Sequence, residues 1–210
     1  MEKEAAPVIA AMEIESDAVI RGKHVICGTL YGEKVFVVVC GVGKVNAACG
    51  AQYAIDCLGA TAIINVGVAG GLKSLEIAAI YGIRAAVQYD FDLTQLNGTT
   101  IGTLDEFNDN YLTLEYNCNY PPKKLATGDR FNDSESDYKL LTETLDADIR
   151  DMEGGAIAQV CIHSGVKCYQ YKIISDLAGS GSTTEQYLKN LNLCFKTLER
   201  ELENILGFSV

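Results

Sequence analysis

The sequence has no CxxC pair, no apolar run approaching the length of a membrane span, and little positive charge. Lys and Arg number 17 against 28 Asp and Glu, for a net charge of −11 and a pI near 4.6. Each shortage excludes something. A chain this acidic is a poor partner for nucleic-acid phosphates or an anionic membrane surface. Crossing a bilayer takes about 20 consecutive apolar residues, which the sequence does not supply. The N-terminal stretch MEKEAAPVIAAMEIE is acidic, and its apolar run is too short for a secretory signal. The eight cysteines (Cys27, Cys40, Cys49, Cys57, Cys118, Cys161, Cys168 and Cys194) make no metal-ligand spacing with each other or with the two histidines, and several sit in apolar elements. Buried, reduced thiols of a cytoplasmic chain are expected, with no metal.

Two phosphate-binding motifs also fail. Gly41-Val42-Gly43-Lys44 follows an apolar strand and opens a helix, but the dinucleotide fingerprint needs a third glycine where Asn46 stands. A phosphate-binding P-loop needs Ser or Thr after Lys44, and Val45 is there. These glycines are read as letting a helix start close against a strand, and no cofactor is expected.

What is present is an ordinary globular composition: 210 residues, 48% of them hydrophobic, with a mean hydropathy of +0.09. There is no repeat, linker or shift of composition, so residues 1–210 are read as one domain. Pro7 to Met12 reads as a first strand, and the acids of Glu13 to Asp17 as its end and a helix's first turn, where the helix dipole favours them. His24–Leu30 and Lys34–Val42 read as a hairpin around Tyr31-Gly32-Glu33. A helix runs to Leu58, Thr61–Val66 is an interior strand ending in Gly67-Val68-Ala69-Gly70-Gly71, and Ile77–Gln88 is strand again. Such small residues at a strand's carboxyl end let a ligand approach the backbone. Tyr89 to Lys124 shows no periodicity; so long a stretch is usually functional or an interface. Leu125–Thr127 returns to the sheet, Ser134 caps a helix to Leu145, and Ser182 or Thr183 caps a last helix to about Leu206.

The chain is organised around Asp148 to Gly179. Asp151 and Glu153 bracket Met152 just before Gly154-Gly155, where a helix starts. Ala156, Ile157, Val160 and Cys161 have the spacing of one helix face, and Gly165 ends it with a left-handed cap. Cys168 to Ser175 is strand-like and stops at Ser175-Asp176. In an open α/β sheet, ligands bind outside the carboxyl ends of the strands, so Glu153 and Asp176 are expected at one edge.

Six strand ends, AMEIE (11–15), CGVGKVNAA (40–48), INVGVAGGL (64–72), TGDRF (127–131), DMEGGAIAQV (151–160) and ISD (174–176), resemble in order and spacing those of the purine nucleoside phosphorylase and nucleosidase superfamily. Within it the chain resembles the 5′-methylthioadenosine/S-adenosylhomocysteine nucleosidases, over nearly its whole length except Tyr89 to Lys124. The resemblance implies a three-layer α/β/α fold around a central mixed, partly closed sheet, a homodimer, no cofactor, a nucleoside substrate and a place in methionine salvage. It implies that Asp176 protonates the purine, Glu153 holds the ribose hydroxyls, Met152 packs on the sugar, Phe131 stacks on the base and Glu15 activates water. It also puts Val68, Ala69, Gly70, Ser175 and Lys172 against the substrate.

The chemistry agrees with these roles. Breaking an N-glycosidic bond leaves positive charge on the sugar and negative charge on the base; one carboxyl can protonate the base, another deprotonate water, and a third offset the sugar's charge. Three departures stand out. Val68 replaces a hydroxyl residue, Lys172 an arginine, and Asn65 the phosphate-binding arginine of bacterial phosphorylases. Asn65 weighs against phosphorolysis. The expected activity is therefore hydrolysis of an adenine nucleoside; a phosphorylase, and a non-catalytic nucleoside-binding or storage protein, are the alternatives.

Overall fold

A computed structural model of the chain describes residues 5, 12–20, 22–116 and 119–207. The expected first strand, Pro7 to Met12, lies outside the described residues except for Met12, as does Cys118. The chain then forms an antiparallel meander of β1 (Glu13–Ile20), β2 (Lys23–Leu30) and β3 (Glu33–Val39). The expected β2–β3 hairpin is present. Its two-residue turn is Tyr31-Gly32, both at positive φ (52° and 87°), the arrangement whose twist matches that of the flanking strands.

The expectation of a helix starting at Glu13 to Asp17 is corrected. These residues form β1, which pairs with β2 in register from Glu13↔Thr29 to Ile20↔Lys23 and is exposed along its length. Acids suit the solvated face of an edge strand as well as a helix's first turn, and Val19 and Ile20 favour the strand.

The second sheet contains β4 (Ala62–Gly71), β5 (Ile80–Gln88), β6 (Leu112–Thr113), β7 (Pro122–Thr127), β8 (Ile149–Asp151) and β9 (Lys167–Leu177), in the order β6-β5-β7-β8-β4-β9. β4–β9, β5–β7 and β7–β8 are parallel, and β4–β8 is antiparallel. β9 also pairs antiparallel with β5, Ile80 opposite Ile173, so the sheet closes on itself. It is the mixed, partly closed sheet that the strand ends implied.

Helices cover it on two sides. α1 (Lys44–Leu58) starts at Gly43, φ 94°, and packs Ala47 and Ala51 with Ile157, Ala158 and Cys161 of α4 (Gly154–Ser164). On the other side α5 (Thr183–Gly207) buries Cys194, Leu198, Leu202 and Ile205 against Tyr171, Ile173 and Ile80. Their spacing of four, four and three residues is one helix stripe, and Leu202→Ala would cost about 2–5 kcal/mol. Ser182 Oγ accepts from the Glu185 N–H at 3.4 Å and caps α5.

Between β5 and β7 the aperiodic stretch holds one helical turn, α2 (Thr94–Asn97), and the short β6. Leu104, Leu112, Leu114 and Tyr120 are buried, so it is part of the packed body. β7 begins at Pro122, ahead of the expected Leu125; a proline is tolerated at the first residue of a strand. Ser134 caps α3 (Glu135–Lys139), which continues as a wider π turn over Leu140–Thr144. The thiols divide: Cys161, Cys168 and Cys194 are buried, Cys27 and Cys40 half-buried, while Cys49 and Cys57 are exposed on α1.

Candidate active site

The carboxyl ends of β7 and β8 and the middle of β9 meet at the start of α4. Lys172 Nζ lies 2.9 Å from Asp151 Oδ2, and the two side chains are 2% and 1% exposed. Asp151 Oδ2 also accepts the Gly154 N–H at 2.8 Å, and its Oδ1 the Thr127 hydroxyl at 2.6 Å. Thr127 Oγ1 in turn accepts the Gly155 N–H at 2.7 Å. Two of the orphan donors at the head of α4 are thereby satisfied by side chains. Gly154 has no room for a side chain. A Cβ there would come within 2.4 Å of Leu125, 2.5 Å of Gln170 Oε1 and 2.8 Å of Asp151 Oδ2.

This scaffold carries Glu153. Its Oε1 accepts the Gly43 N–H at 2.9 Å and its Oε2 the Met152 N–H at 3.3 Å. The Gly43 backbone ahead of α1 thus holds a carboxylate of this chain. Burial, and then the neighbouring Asp151 charge, push the Glu153 carboxyl above its ordinary range, against the pull of Lys172 and the two N–H donors.

Asp176, at the end of β9, is 2% exposed. Ser175 Oγ donates to its Oδ1 at 2.7 Å, while Oδ2 is buried without a hydrogen-bond partner. Burial is the main reason that its carboxyl is held above the usual aspartate range. A buried acid whose proton affinity is raised, with one oxygen lacking a hydrogen-bond partner, suits proton donation to a leaving group.

A cleft of about 1230 Å³ takes in these groups; Val68, Ala69, Gly70, Arg150, Met152, Glu153, Lys172, Ser175 and Asp176 all line it. Phe131, also in the lining, is 52% exposed and meets the Tyr187 ring edge-on, centroids 6.0 Å apart. Val68 packs against the apolar cluster under α5. Asn65 also lines the cleft, and its amide donates to Gln170 Oε1 at 3.2 Å.

Glu15 stands apart from this group. It is exposed on β1, the outer strand of the meander, and its Oε2 lies 3.8 Å from Cys27 Sγ. The structure brings Glu153, Asp176, Met152, Ser175 and Lys172 to one place and does not bring Glu15 to it. Sequence reasoning missed Arg150, whose signal is a cation inside a short strand between two acids, Asp148 and Asp151. It also missed Asp151 as the partner of Lys172, although that residue stands in the DMEGG motif.

The sequence profile of the phosphorylase superfamily matches residues 1–207. A Geobacillus kaustophilus protein named 5′-methylthioadenosine/S-adenosylhomocysteine nucleosidase is 31% identical over 206 residues, 90% of this chain and 87% of its own length. An aminodeoxyfutalosine nucleosidase of Campylobacter jejuni is 33% identical over 150 residues, 66% of each chain. Among solved structures, a 5′-methylthioadenosine/S-adenosylhomocysteine nucleosidase of Colwellia psychrerythraea in complex with adenine is similar with a TM-score of 0.89. It is 26% identical, with 99% of this chain and 91% of that one covered.

Proposed function

The chain belongs to the phosphorylase superfamily, among its purine nucleosidases, and we propose that it hydrolyses an adenine nucleoside, 5′-methylthioadenosine, S-adenosylhomocysteine or a relative of these. The observation that carries the reading is the meeting in one cleft of two carboxyls, half-buried Glu153 and buried Asp176, each with its proton affinity raised above that of an ordinary carboxylate. Asp176 gives its proton to N7 of the purine as the bond to the sugar lengthens. The base then leaves neutral, which removes the main cost of expelling it. Glu153 accepts from the ribose hydroxyls, and its charge lies near the cation that develops at the anomeric carbon, where a fixed charge in a dry site is most effective. Met152 and Phe131 pack on sugar and base. The family likeness gives Glu15 the part of water-activating base.

Water is favoured over phosphate by the state of the cations around the carboxylates. Lys172 faces Asp151 at 2.9 Å, Lys44 faces Asp90 at 2.5 Å, Arg130 faces Asp137 at 3.1 Å and Arg150 faces Asp133 at 4.0 Å. A phosphate entering here would compete with close carboxylates for Lys172, Lys44 and Arg130, and the Arg150 pair is the loose one. The test is a panel of purine nucleosides, including 5′-methylthioadenosine, S-adenosylhomocysteine and aminodeoxyfutalosine, incubated with and without phosphate, with both products identified. Free adenine and free sugar from the first two support the reading. Turnover of aminodeoxyfutalosine alone would replace the proposed substrate, and no release of base would overturn the enzyme.

A further inference from the structure

Arg150 and Asp176 flank the same glycine. β8 and β9 lie on either side of β4, and Gly70 is the register partner both of Arg150 and of Asp176. Because Gly70 has no side chain, the two side chains close over it. A Cβ built there would lie 2.8 Å from Asp176 Oδ2 and 3.1 Å from Arg150 Nε. The oxygen concerned is the one without a hydrogen-bond partner. Arg150 is 11% exposed, and its own counter-ion is remote: Nη2 is 4.0 Å from Asp133 Oδ1, and the Asp133 side chain is 49% exposed. A mostly buried guanidinium with a loose, solvated partner thus stands beside the open oxygen of the acid.

We propose that Arg150 is a positioning residue for the acid: across Gly70 its fixed charge stabilises the negative charge left on Asp176 when the proton moves to the leaving purine. The inference rests on the assignment of Asp176 as that acid. The step is balanced within the site. The Asp176 O–H bond breaks, an N–H bond forms on the base, the electron pair stays on the carboxylate, and Arg150 keeps all its protons, as a guanidinium does at any ordinary pH. A preorganised charge aimed at an atom that becomes anionic costs no reorganisation during the reaction. Asp133 works in opposition, since its carboxylate repels charge on Asp176. Among the described residues the charges that act on Asp176 are Arg150, which pulls its proton affinity down, and Asp133, which pushes it up. α5, packed on β9, contributes neutral amides here. Asn190 donates to the Ser175 carbonyl at 2.8 Å and Gln186 accepts from the Leu177 N–H at 3.0 Å, while Tyr187 turns its ring to Phe131.

The test compares the parent with Arg150→Met, Arg150→Lys and Asp133→Asn by two readouts. The first is the pH profile of kcat/KM on the nucleoside that the parent hydrolyses. With Arg150→Met the plateau is expected to fall by about 10- to 100-fold, less than the cost of a donor in direct contact with a reacting oxyanion. The alkaline limb, where the acid loses its proton, moves to higher pH. Arg150→Lys restores part of both, and Asp133→Asn moves the limb to lower pH. A merely structural role would lower the rate and leave the limb in place, and that result overturns the proposal. The second readout is the carboxyl titration of Asp176 in the free protein, followed by ¹³C resonance and assigned with Asp176→Asn. It needs no turnover, so it decides the Arg150 effect even if no nucleoside is hydrolysed. Titration of Asp176 at one pH in the parent, in Arg150→Met and in Asp133→Asn refutes the inference. Failure of every protein, parent included, to release base with the titration shifts intact refutes the nucleosidase reading instead.

Discussion

Lys172 Nζ and Asp151 Oδ2 meet at 2.9 Å between β9 and β8, with both side chains all but sealed from water. The pair joins two strands that are not neighbours in the sheet, since β4 lies between them. It also sets the charge next to Glu153, because Asp151 raises the proton affinity of that carboxyl and Lys172 lowers it.

Removing one half of such a pair leaves the other buried and uncompensated. Lys172→Met is expected to destabilise the protein by about 3–5 kcal/mol, whereas replacing both partners by apolar residues removes the buried charge but leaves the Gly154 N–H and the Thr127 hydroxyl without their acceptor, so only part of that loss is recovered. Denaturant unfolding of Lys172→Met and of the double variant Asp151→Leu/Lys172→Met checks this. A double variant no more stable than the single one would show that Asp151 is held by Thr127 and Gly154 and not by Lys172.

Asp176→Asn has two expected effects of opposite benefit. Turnover should fall by about 10²–10⁴-fold, the usual contribution of a placed proton donor, while a nucleoside still binds. Stability should rise at neutral pH. The Asp176 carboxyl is raised in the fold, chiefly by burial, so the folded state holds its proton more tightly than the unfolded chain. Its contribution to stability is complete below the unfolded value of about 3.9 and is lost as the pH climbs through the folded value. An amide does not ionise and escapes that loss. Denaturation midpoints of parent and variant should differ at pH 7 and converge toward pH 4. A parent more stable than the variant at pH 7 would contradict the burial argument.

Glu15→Gln separates two ways of activating water. If Glu15 is the base, the amide abolishes hydrolysis and leaves the affinity for a non-hydrolysable nucleoside analogue unchanged, as measured by calorimetry. Unchanged turnover would move the role to a carboxylate already in the cleft, such as Glu153. The structure gives this variant its value, since Glu15 is exposed on β1 while the other acids line the cleft.

The core of the site was legible because it is local. Asp151 to Gly155 is a strand end, a turn and a helix start within five residues, and small residues followed by a helical stripe mark it without any knowledge of what lies opposite. The same holds for Ser175-Asp176, where an apolar strand runs into a loop of Gly and Ser. What escaped depends on neighbours across the sheet. Nothing in ADIRD tells that Arg150 faces Asp176 over Gly70, because that needs β4 to lie between β8 and β9. Nor does Lys172, inside an apolar strand, reveal that its partner is Asp151. The β1 segment was misread because acids alternating with apolar residues satisfy an exposed edge strand and a helix start equally.

The nucleophile is the last point that experiment can settle. Phosphate at neutral pH carries one to two negative charges and must shed water before it attacks a carbon in the cleft. Burying such charge unpaired costs several kcal/mol even after the protein relaxes. A phosphorylase offsets that with free cations and hydroxyl donors. Here Val68 offers no donor, and the Asn65 amide already bonds Gln170. Lys172 and Lys44 are the cations that a phosphate site would need, and each is bound to a carboxylate, Asp151 and Asp90. Recruiting Lys172 would break the scaffold under Glu153, and recruiting Lys44 would strip half-buried Asp90 of its partner. Free base and free sugar are therefore expected, at a rate unchanged by added phosphate. A sugar 1-phosphate as the main product would mean that Lys172 or Lys44 leaves its carboxylate during the reaction. In that case Asp90→Asn, which frees Lys44, should increase the phosphate-dependent rate, whereas a hydrolase shows no such gain.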